Sequence, residues 1–433
     1  MQALLAHGIP YEIVPGVPSA VSVPAYAGIP VTCRGMASAV HILTGHKKLD
    51  EPLEIDFKAL TAAGGTCVFL MGMSALHEIV NGFLNAGMDA EMPAAVIEQG
   101  TGARQRTILA PLKELGQNVQ KQHAQTPAVI VIGKTAAFAE KFRWYEKQPL
   151  FGCRIIVTRP AARSGKLSDM LRELGAEVIE MPAIYTQKRD CAREFLDLLP
   201  QIREYRYMVF TSPSGVDYFF ELLENLDLDI RCIGDIRLAV IGSATKDALR
   251  KHGLKPALMP ARYNGAALGK LLNQSLQDGE KVLLLRSAMG SRELVKEIQS
   301  GKQIQVTDLA IYDTIYTADE GCLQESSDWQ KAVPGNCRTE SSDWQKAASE
   351  NCRTDDSQAD MVMFTSASAV RGFVQMAQGA DYAKIHAVCI GRMTADQAAY
   401  YGMQVHLAEQ ETVESMIQAA LQLHLKMAQN NEI

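Results

Sequence analysis

The stretch Phe210-Thr211-Ser212-Pro213-Ser214 returns further along the chain as Phe364-Thr365-Ser366-Ala367-Ser368. Each copy follows an apolar, strand-like run (207–209 and 361–363) and stands where a helix would begin. Hydroxyl side chains at such a position cap the helix, and the free N–H groups of its first turn attract anions. Two matched copies therefore predict two similar α/β lobes that face one cleft, a shape suited to a large ligand.

The repeat extends well beyond this motif. The other matched pairs are Arg159 with Arg286, Ser164 with Ser291, Leu167 with Leu294, Ile184-Tyr185 with Ile311-Tyr312, and Ile241-Gly242-x-x-Thr245 with Ile390-Gly391-x-x-Thr394. In both copies the Arg lies 26 residues before the Tyr. Short apolar runs that alternate with amphipathic helical patterns favour a mainly parallel sheet covered by helices. The predicted fold class is therefore α/β.

The hydroxyl side chains of the repeated motifs are candidates for holding a polyanionic ligand: Ser212, Ser214, Thr245, Ser366, Ser368 and Thr394. For a single serine, plain N-capping is the favoured interpretation, and only the matched positions on two lobes favour the ligand. Arg159 and Arg286 end predicted strands, where an Arg either pairs with a carboxylate or is simply solvated. Tyr312 either packs at a hinge or acts as a hydrogen-bond donor and general acid.

Composition restricts the class of protein. The 433 residues allow two to four domains, and 47% apolar with 21% charged residues is ordinary for a globular chain. A net charge of −6 argues against nucleic acid as a partner. The nine cysteines form no CxxC pair, which favours reduced thiols in a cytoplasmic protein over disulfides or a metal site. No apolar run approaches the ~20 residues that span a bilayer, and no signal-peptide pattern is present, so we expect no membrane partner.

Changes of pattern divide the chain into segments. Residues 1–133 alternate predicted buried strands with helical patterns, and they begin abruptly at a predicted strand over residues 9–14. A domain that starts in this way is expected to be incomplete. Residues 134–150 mix charged and aromatic side chains and are predicted to be a linker. Residues 319–360 contain a tandem duplication of 15 residues and are predicted to be a polar surface insertion or a disordered segment.

Residues 151–430 resemble uroporphyrinogen-III synthase. The motifs that carry the resemblance are Ile155-Ile156-Val157-Thr158-Arg159-Pro160, Phe210-Thr211-Ser212-Pro213-Ser214-Gly215-Val216, Ala239-Val240-Ile241-Gly242-x-x-Thr245 and their second copies. The resemblance implies two lobes of parallel sheet flanked by helices, joined by a two-stranded ladder that carries Tyr185 and Tyr312. Lobe one would hold about residues 151–183 and 360–430, and lobe two about residues 190–309. The two copies of the repeat would therefore be interleaved.

The resemblance also implies an activity. In that family a lyase without a cofactor closes the linear tetrapyrrole hydroxymethylbilane to uroporphyrinogen III, with ring D inverted. It implies that Arg159 and the six hydroxyls named above bind the carboxylates of this small-molecule substrate. Tyr312 matches the position of a tyrosine to which the family assigns help with departure of the substrate hydroxyl. No metal is implied.

Residues 1–135 resemble the C-terminal part of uroporphyrinogen-III C-methyltransferase. Matching stretches include residues 14–20 (VPGVPSA), 27–32 (AGIPVT), 44–46 (TGH) and 68–72 (VFLMG). The GxGPGDP loop, the catalytic Asp and Lys, and the GDPFxFGRGGEE segment of that family are absent from this sequence. The resemblance implies contacts to S-adenosylmethionine from a few residues only, which are Ser19, Ala20, Met71 and Gly100. It also allows a homodimer through this part. We expect methyltransferase activity to be weak or absent in this chain.

Three hypotheses follow. The first is a cyclising synthase of tetrapyrrole biosynthesis, on a route to siroheme, cobalamin or heme, with a partial methyltransferase domain. The second is a bifunctional enzyme whose missing half is supplied by a separate chain. The third is a two-lobed binding module or sensor, whose usual extracellular form would need a signal peptide. The products formed from hydroxymethylbilane, with and without S-adenosylmethionine, distinguish these hypotheses.

Overall fold

The computed structural model describes residues 1–45, 53–158, 161–317 and 359–431. The chain divides into two compact units, Met1–Arg154 with Asp169–Val178, and Ile155–Ser168 with Ile179–Ile433. Three five-stranded sheets with helices on their faces form the described part of the chain. The predicted α/β class is therefore confirmed. None of the helices in these ranges is long and apolar enough to cross a membrane.

The sheet of the first unit has the strand order β1-β2-β5-β3-β4. Its strands are β1 (Val40–Thr44), β2 (Thr66–Leu70), β3 (Pro93–Glu98), β4 (Arg106–Pro111) and β5 (Ala128–Ile132), and its helices are α1 (Gln2–Ala6), α2 (Ser19–Tyr26), α3 (Phe57–Ala63), α4 (Leu76–Asn85), α5 (Leu112–Lys121) and α6 (Phe138–Phe142). Strand β5 runs antiparallel to both β2 and β3, and β1 runs parallel to β2. The carboxyl ends of β1, β2 and β3 therefore meet at one edge of the sheet.

Helix α4 shows how local sequence forms these elements. Leu76, Ile79, Val80 and Phe83 recur at helical spacing, and all four side chains are buried. They pack with Phe69 of β2 in the core on one face of the sheet. The chain leaves the helix through Gly87, whose φ of 86° lies in the left-handed region that glycine adopts without strain. The period of the apolar residues thus positions the helix on the sheet.

Residues 134–150, which the sequence predicts to be a linker, pack within the first unit. Glu146 accepts hydrogen bonds from Gln105 Nε2 at 3.1 Å and from Thr107 Oγ1 at 2.8 Å. The ring of Tyr145 lies edge-on to that of Tyr26, with centroids 4.8 Å apart. Because these aromatic and charged side chains find partners on the sheet and on α2, the segment is part of the folded unit.

Two further sheets, which lie mainly in the second unit, are called the lobe-one and lobe-two sheets. The strands, in chain order, are β6 (Arg154–Val157), β7 (Glu177–Glu180), β8 (Ile184–Lys188), β9 (Tyr205–Phe210), β10 (Arg237–Val240), β11 (Lys281–Ser287), β12 (Gln305–Tyr316), β13 (Met361–Phe364), β14 (His386–Cys389) and β15 (Gln404–Leu407). The helices are α7 (Ala161–Glu173), α8 (Ala192–Leu198), α9 (Pro213–Asn225), α10 (Ser243–Lys251), α11 (Gly265–Ser275), α12 (Arg292–Ile298), α13 (Ala367–Met376), α14 (Arg392–Tyr400) and α15 (Val413–Asn431).

The order of the strands shows that the two copies are interleaved. The lobe-one sheet has the order β15-β14-β13-β6-β7, and the lobe-two sheet has the order β10-β9-β11-β12-β8. The first strand of the first copy, β6, pairs in parallel with β13 of the second copy. In the same way, β11 of the second copy pairs in parallel with β9 of the first. The antiparallel pair β8 and β12 forms the predicted two-stranded ladder, in which Tyr312 lies opposite Lys188 and Ile315 opposite Tyr185.

Burial explains why the repeated motif ends its strands where it does. The residues of β9 and β13 are at most 3% exposed, except for the exposed Arg206 and for Tyr205 at the start of β9. The polar residues that follow cannot continue such a strand without burying unpaired hydroxyls.

The six cysteines in the described part of the chain carry free thiols. Arg159, His46 and nearly all of the predicted insertion at 319–360 lie outside the described residues. The domain boundaries stay predictions.

Candidate active site

A cavity of about 600 Å³ lies in the second unit, at the carboxyl ends of strands from both lobe sheets. Lobe two contributes Thr211, Ile241, Tyr263 and Arg286 to its walls, and lobe one contributes Thr365, Ser366, Ile390, Thr394 and Glu411. Matched positions of the repeat, such as Thr211 with Thr365, therefore face the same space. Ligands of open α/β sheets characteristically bind outside the carboxyl ends of the strands.

The serines of the repeated motif are helix caps. Ser212 Oγ accepts a hydrogen bond from Gly215 N at 3.0 Å, and Ser366 Oγ accepts one from Ala369 N at 3.1 Å. Both residues have extended backbones directly before α9 and α13, as N-cap residues do. The threonine before each serine lines the cavity, as does Ser366 itself. One hydroxyl of each motif thus closes a helix while its neighbour faces the cleft.

Helices α10 and α14, which begin in the IGxxT motifs, have no side-chain cap. Their N-cap residues are Gly242 and Gly391, so the first-turn N–H groups are not satisfied by a side chain of the cap. Gly391 and Thr394 of α14 line the cavity. Thr394 is only 4% exposed, and its hydroxyl makes no hydrogen bond to another described residue. The start of α14 therefore presents backbone N–H groups without a side-chain cap to the cleft, and anion binding there stays a prediction.

Arg286 lines the cavity but is already paired. The residue is 5% exposed, and its Nε and Nη2 donate to the two carboxylate oxygens of Asp308 at 2.9 Å and 2.5 Å. Its Nη1 donates to the carbonyl oxygen of Ser291 at 2.7 Å. A bidentate pair of this kind holds the guanidinium in one orientation. Arg286 thus shapes the wall of the cleft and fixes the loop that begins α12.

Tyr312, the predicted catalytic residue, is 6% exposed and belongs to the core of lobe two. Its hydroxyl lies 2.8 Å from Ser212 Oγ, and its ring centroid lies 5.6 Å from that of Tyr218. It is not among the residues that line the cavity. The phenol is hydrogen-bonded to Ser212, the N-cap residue of α9, which directly follows Thr211 of the cavity wall. Its catalytic role stays a prediction.

The structure brings together some of the predicted substrate-binding residues and not others. Ser366 and Thr394 line the cavity, whereas Ser212, Ser214, Thr245 and Ser368 do not. Ser214 and Thr245 are 4% and 2% exposed, inside the first turns of α9 and α10. Tyr263 and Glu411 line the cavity without having been predicted. Neither belongs to a repeated sequence motif. The sequence feature that could have indicated them is that each directly precedes a residue that caps a helix.

In the first unit, the carboxyl ends of β2 and β3 carry unusual backbone. Met71, Gln99 and Thr101 have φ of 55°, 47° and 72°, a left-handed conformation that costs about 1–2 kcal/mol outside glycine. Gly100 leaves no room for a side chain, because an added Cβ would lie 2.4 Å from Cγ1 of Val23. Ala20 is fully buried at the start of α2, and Ser19 before it is exposed. Strain of this kind is often found at ligand sites, and the cofactor contacts of Ser19, Ala20, Met71 and Gly100 stay a prediction.

The fold and the cleft define a class of two-lobed α/β proteins in which matched strand ends face one cavity. The family model described as Uroporphyrinogen-III synthase HemD matches residues 165–418. A second model, described as Tetrapyrrole (Corrin/Porphyrin) Methylases, matches residues 1–116. The chain belongs to the uroporphyrinogen-III synthase family, and its first part carries a tetrapyrrole methylase domain. These matches support a role in tetrapyrrole biosynthesis.

Two relatives by sequence agree with the family matches. The chain is 35% identical over 423 residues to the porphyrin biosynthesis protein HemD of Ruminiclostridium josui, covering 98% of this chain and 79% of that protein. It is 34% identical to a uroporphyrinogen-III C-methyltransferase of Bacillus subtilis strain 168, over 69% of this chain and 56% of that protein. A crystal structure of mutant uroporphyrinogen III synthase from Thermus thermophilus covers 63% of this chain and 99% of its own, with 17% identity and a TM-score of 0.43.

Proposed function

We propose that this chain closes hydroxymethylbilane to uroporphyrinogen III with inversion of ring D, as a lyase that needs no cofactor. The observation that carries the proposal is a cavity whose wall contains residues from both copies of the repeat. The substrate bears acetate and propionate carboxylates, which helix N–H groups and hydroxyls such as those of Thr211, Thr365 and Thr394 stabilise. Backbone N–H groups and hydroxyls can bind these carboxylates even though the chain carries a net charge of −6.

The reaction requires positioning more than a nucleophile. Loss of water from the terminal hydroxymethyl group gives an azafulvene cation on ring A. Ring D attacks this cation through its substituted carbon, and the resulting spiro intermediate fragments and recloses with ring D inverted. Holding the two chain ends together converts their encounter into an intramolecular step, which is worth about 7–11 kcal/mol when the geometry is good. Walls contributed by two lobes suit a ligand whose two ends must meet.

The proposed substrate-binding residues are those predicted from the sequence. They differ in whether they line the cavity. Ser366 and Thr394 have support from their places in the cavity wall. Ser212, Ser214, Thr245 and Ser368 lie at the helix starts behind that wall, where they would act by holding the backbone N–H groups in place. Arg159 carries over from the resemblance alone. Tyr312 would act through its hydrogen bond with Ser212.

The test is a product assay with the purified chain. Hydroxymethylbilane is added, the porphyrinogens are oxidised, and the type I and type III isomers are separated by chromatography. We expect the type III isomer in excess, whereas spontaneous closure yields type I. A mixture that contains only type I, at every enzyme concentration, would defeat the synthase proposal. Tight binding of the tetrapyrrole without turnover would instead favour a binding module.

We further propose that residues 1–135 are the C-terminal part of a C-methyltransferase, joined through residues 136–150 to a synthase over residues 151–430. Ser19, Ala20, Met71 and Gly100 would contact S-adenosylmethionine at the edge where β2 and β3 end. On this proposal, methyl transfer by this chain alone would be weak or absent. Addition of S-adenosylmethionine and uroporphyrinogen III tests this, and methylated product would refute the claim. A separate chain that restores methylation would support the bifunctional alternative.

A further inference from the structure

The two IGxxT helices share a feature that is not visible in the repeated motifs. The N-cap glycine of each helix is covered by a side chain from about twenty residues further along the chain. At Gly242, an added Cβ would lie 3.0 Å from Cγ of Tyr263. At Gly391, it would lie 2.7 Å from Oε1 of Glu411. Tyr263 and Glu411 both line the cavity.

The two covering residues occupy equivalent positions in the lobes. Tyr263 directly precedes Asn264, whose side chain caps α11 by accepting from Ala267 N at 2.9 Å. Glu411 directly precedes Thr412, whose hydroxyl accepts from Ser415 N at 3.2 Å at the start of α15. The cleft therefore has a phenol on one side and a carboxyl group on the other, each held against the start of an uncapped helix.

The carboxyl group of Glu411 differs from the other acids that line the cavity. Glu293 and Asp396 are exposed, whereas Glu411 is partly buried. Glu411 makes no ion pair and no hydrogen bond with other residues of the described part of the chain. Burial raises the pKa of its carboxyl group. The cations in the wall are Arg286, which is paired with Asp308, and the exposed Arg392.

We propose that Glu411 is the catalytic acid of the cyclisation, an inference that rests on the proposed function. Its carboxyl group would donate a proton to the terminal hydroxyl of hydroxymethylbilane as the C–O bond breaks and water leaves. The electron pair of that bond departs with the oxygen, and the pyrrole nitrogen stabilises the cation that remains. When ring D recloses, it loses a proton to regain its aromatic ring, and the Glu411 carboxylate accepts it. The proton balance of Glu411 is then restored, and one water is released in each turnover.

This assignment gives Tyr312 a different part. Its phenol is buried and hydrogen-bonded to Ser212, the cap of α9. It would act as a positioning residue for the start of that helix, while Glu411, which lies in the cavity wall, touches the substrate. Tyr263, at the matching position in lobe two, presents a ring suited to packing against a pyrrole, because aromatic rings stack favourably at short range.

The test compares Glu411→Gln with Glu409→Gln. Glu409 lies in the same loop, is exposed and does not line the cavity, so its variant controls for the loss of one negative charge. A positioned general acid contributes about 10²–10⁴-fold to rate. We therefore expect Glu411→Gln to lower kcat for type III formation by roughly 100-fold or more with little change in KM. Glu411→Asp, which keeps the acid, is expected to recover part of the rate.

The pH profile provides the second readout. In the unaltered chain, kcat should fall as the pH rises through the pKa of Glu411, because only the protonated carboxyl can donate. This fall should be absent from the residual activity of Glu411→Gln. An unchanged kcat and pH profile in that variant would overturn the proposal, as would a lowered KM with unchanged kcat, which would show simple repulsion of a substrate carboxylate. If Glu411→Gln fails to fold, the profile of Glu411→Asp decides. Failure of the proposed function is distinct, because the unaltered chain would then yield type I isomer only.

Discussion

The serine hydroxyls of the FTSxS motif and the threonine hydroxyl of the lobe-one IGxxT motif have different surroundings. Ser212 and Ser366 satisfy N–H groups of their own helices, so part of their hydrogen-bonding capacity is already used. Thr394 is nearly buried, lines the cavity and makes no hydrogen bond to another described residue. A ligand carboxylate that meets Thr394 also meets the uncapped start of α14. At the scale of residues, we therefore expect anion binding at the IGxxT motif of lobe one to depend on Thr394 more than on the serines.

Replacement of Thr394 by valine tests this assignment. Valine keeps the shape but removes the hydroxyl, and a hydrogen bond to a charged group is worth about 1.5–3 kcal/mol. We expect Thr394→Val to raise KM for hydroxymethylbilane by about tenfold or more while kcat changes little. Thr245→Val, at the matching position behind the wall, should raise KM less. Steady-state kinetics of type III formation measures both, and equal effects would contradict the difference seen in the structure.

Replacement of Tyr312 by phenylalanine tests its part in the reaction. The change removes the hydrogen bond to Ser212, which costs about 1 kcal/mol of stability. We expect turnover to fall several-fold but not to be lost, because the phenol acts through the start of α9. Tyr205→Phe is the control, since the Tyr205 hydroxyl bonds to Thr307 Oγ1 at 2.8 Å, in the same sheet but outside the cavity wall. Unchanged turnover in Tyr312→Phe would remove Tyr312 from the mechanism.

At the scale of elements, the pairing of β14 with β15 contains a pH-sensitive contact. His386 Nδ1 and His406 Nε2 lie 3.1 Å apart on these neighbouring strands. Burial lowers the pKa of both rings, and the neighbouring His386 and Lys426 lower that of His406 further. Asp360 opposes the shift at His386. A short contact between two ring nitrogens is a hydrogen bond only if at least one ring is neutral.

The sign of the resulting pH dependence follows from linkage. Both folded-state pKa values lie below the ordinary value of 6.5, so the unfolded chain binds protons first as the pH falls. The stabilisation is fully present above pH 6.5 and is lost progressively as the pH falls from there through the folded-state values. We expect amide hydrogen exchange in β14 and β15 to accelerate relative to the intrinsic rate below that pH. His406→Gln should flatten the response, whereas His424→Gln, on α15 of the same lobe, should not. A flat profile in the unaltered chain would contradict the argument.

At the scale of the whole molecule, the net charge of the chain and the charge of the proposed substrate have the same sign. The chain carries a net charge of −6, and the proposed substrate is a polyanion. Under the proposed function, binding would depend on N–H groups and hydroxyls that act at short range, because the net charge of the chain repels the substrate. The interleaved lobes supply such groups from both sides, because β6 and β13, like β9 and β11, bring different copies of the repeat into one sheet.

The ionic-strength dependence of catalysis tests this picture. Salt screens the repulsion between like charges, and the Debye length falls from about 30 Å at 0.01 M to about 8 Å at 0.15 M. We expect kcat/KM for hydroxymethylbilane to rise modestly, or to stay level, as salt increases over this range. A steep fall would instead indicate steering by a basic surface. The measurement is made with initial rates of type III formation at constant pH.

Much of this architecture could be predicted from the chain. The spacing from Arg286 to Tyr312, the repeated strand ends and the apolar period of α4 each reflect contacts within a few dozen residues. Such local patterns survive in the sequence because every copy of a strand or helix must bury the same face. The contacts of residues 134–150, which were predicted to be a linker, could not be predicted from local patterns. The aromatic residues of this segment pack within the first unit through partners such as Tyr26, more than one hundred positions away, which local composition does not reveal.

By itself, the sequence determined that there are two matched α/β lobes, that each lobe has hydroxyls at its strand ends, and that the first part resembles a methylase. Periodicity and spacing are properties of the chain and need no three-dimensional knowledge. Only the tertiary structure decided which hydroxyls reach the cavity, that the buried Tyr312 lies beside Ser212, and that Glu411 and Tyr263 cover the N-cap glycines of α14 and α10. Those relations depend on strand order and on how side chains fill the space between helices, where residues far apart in sequence become neighbours.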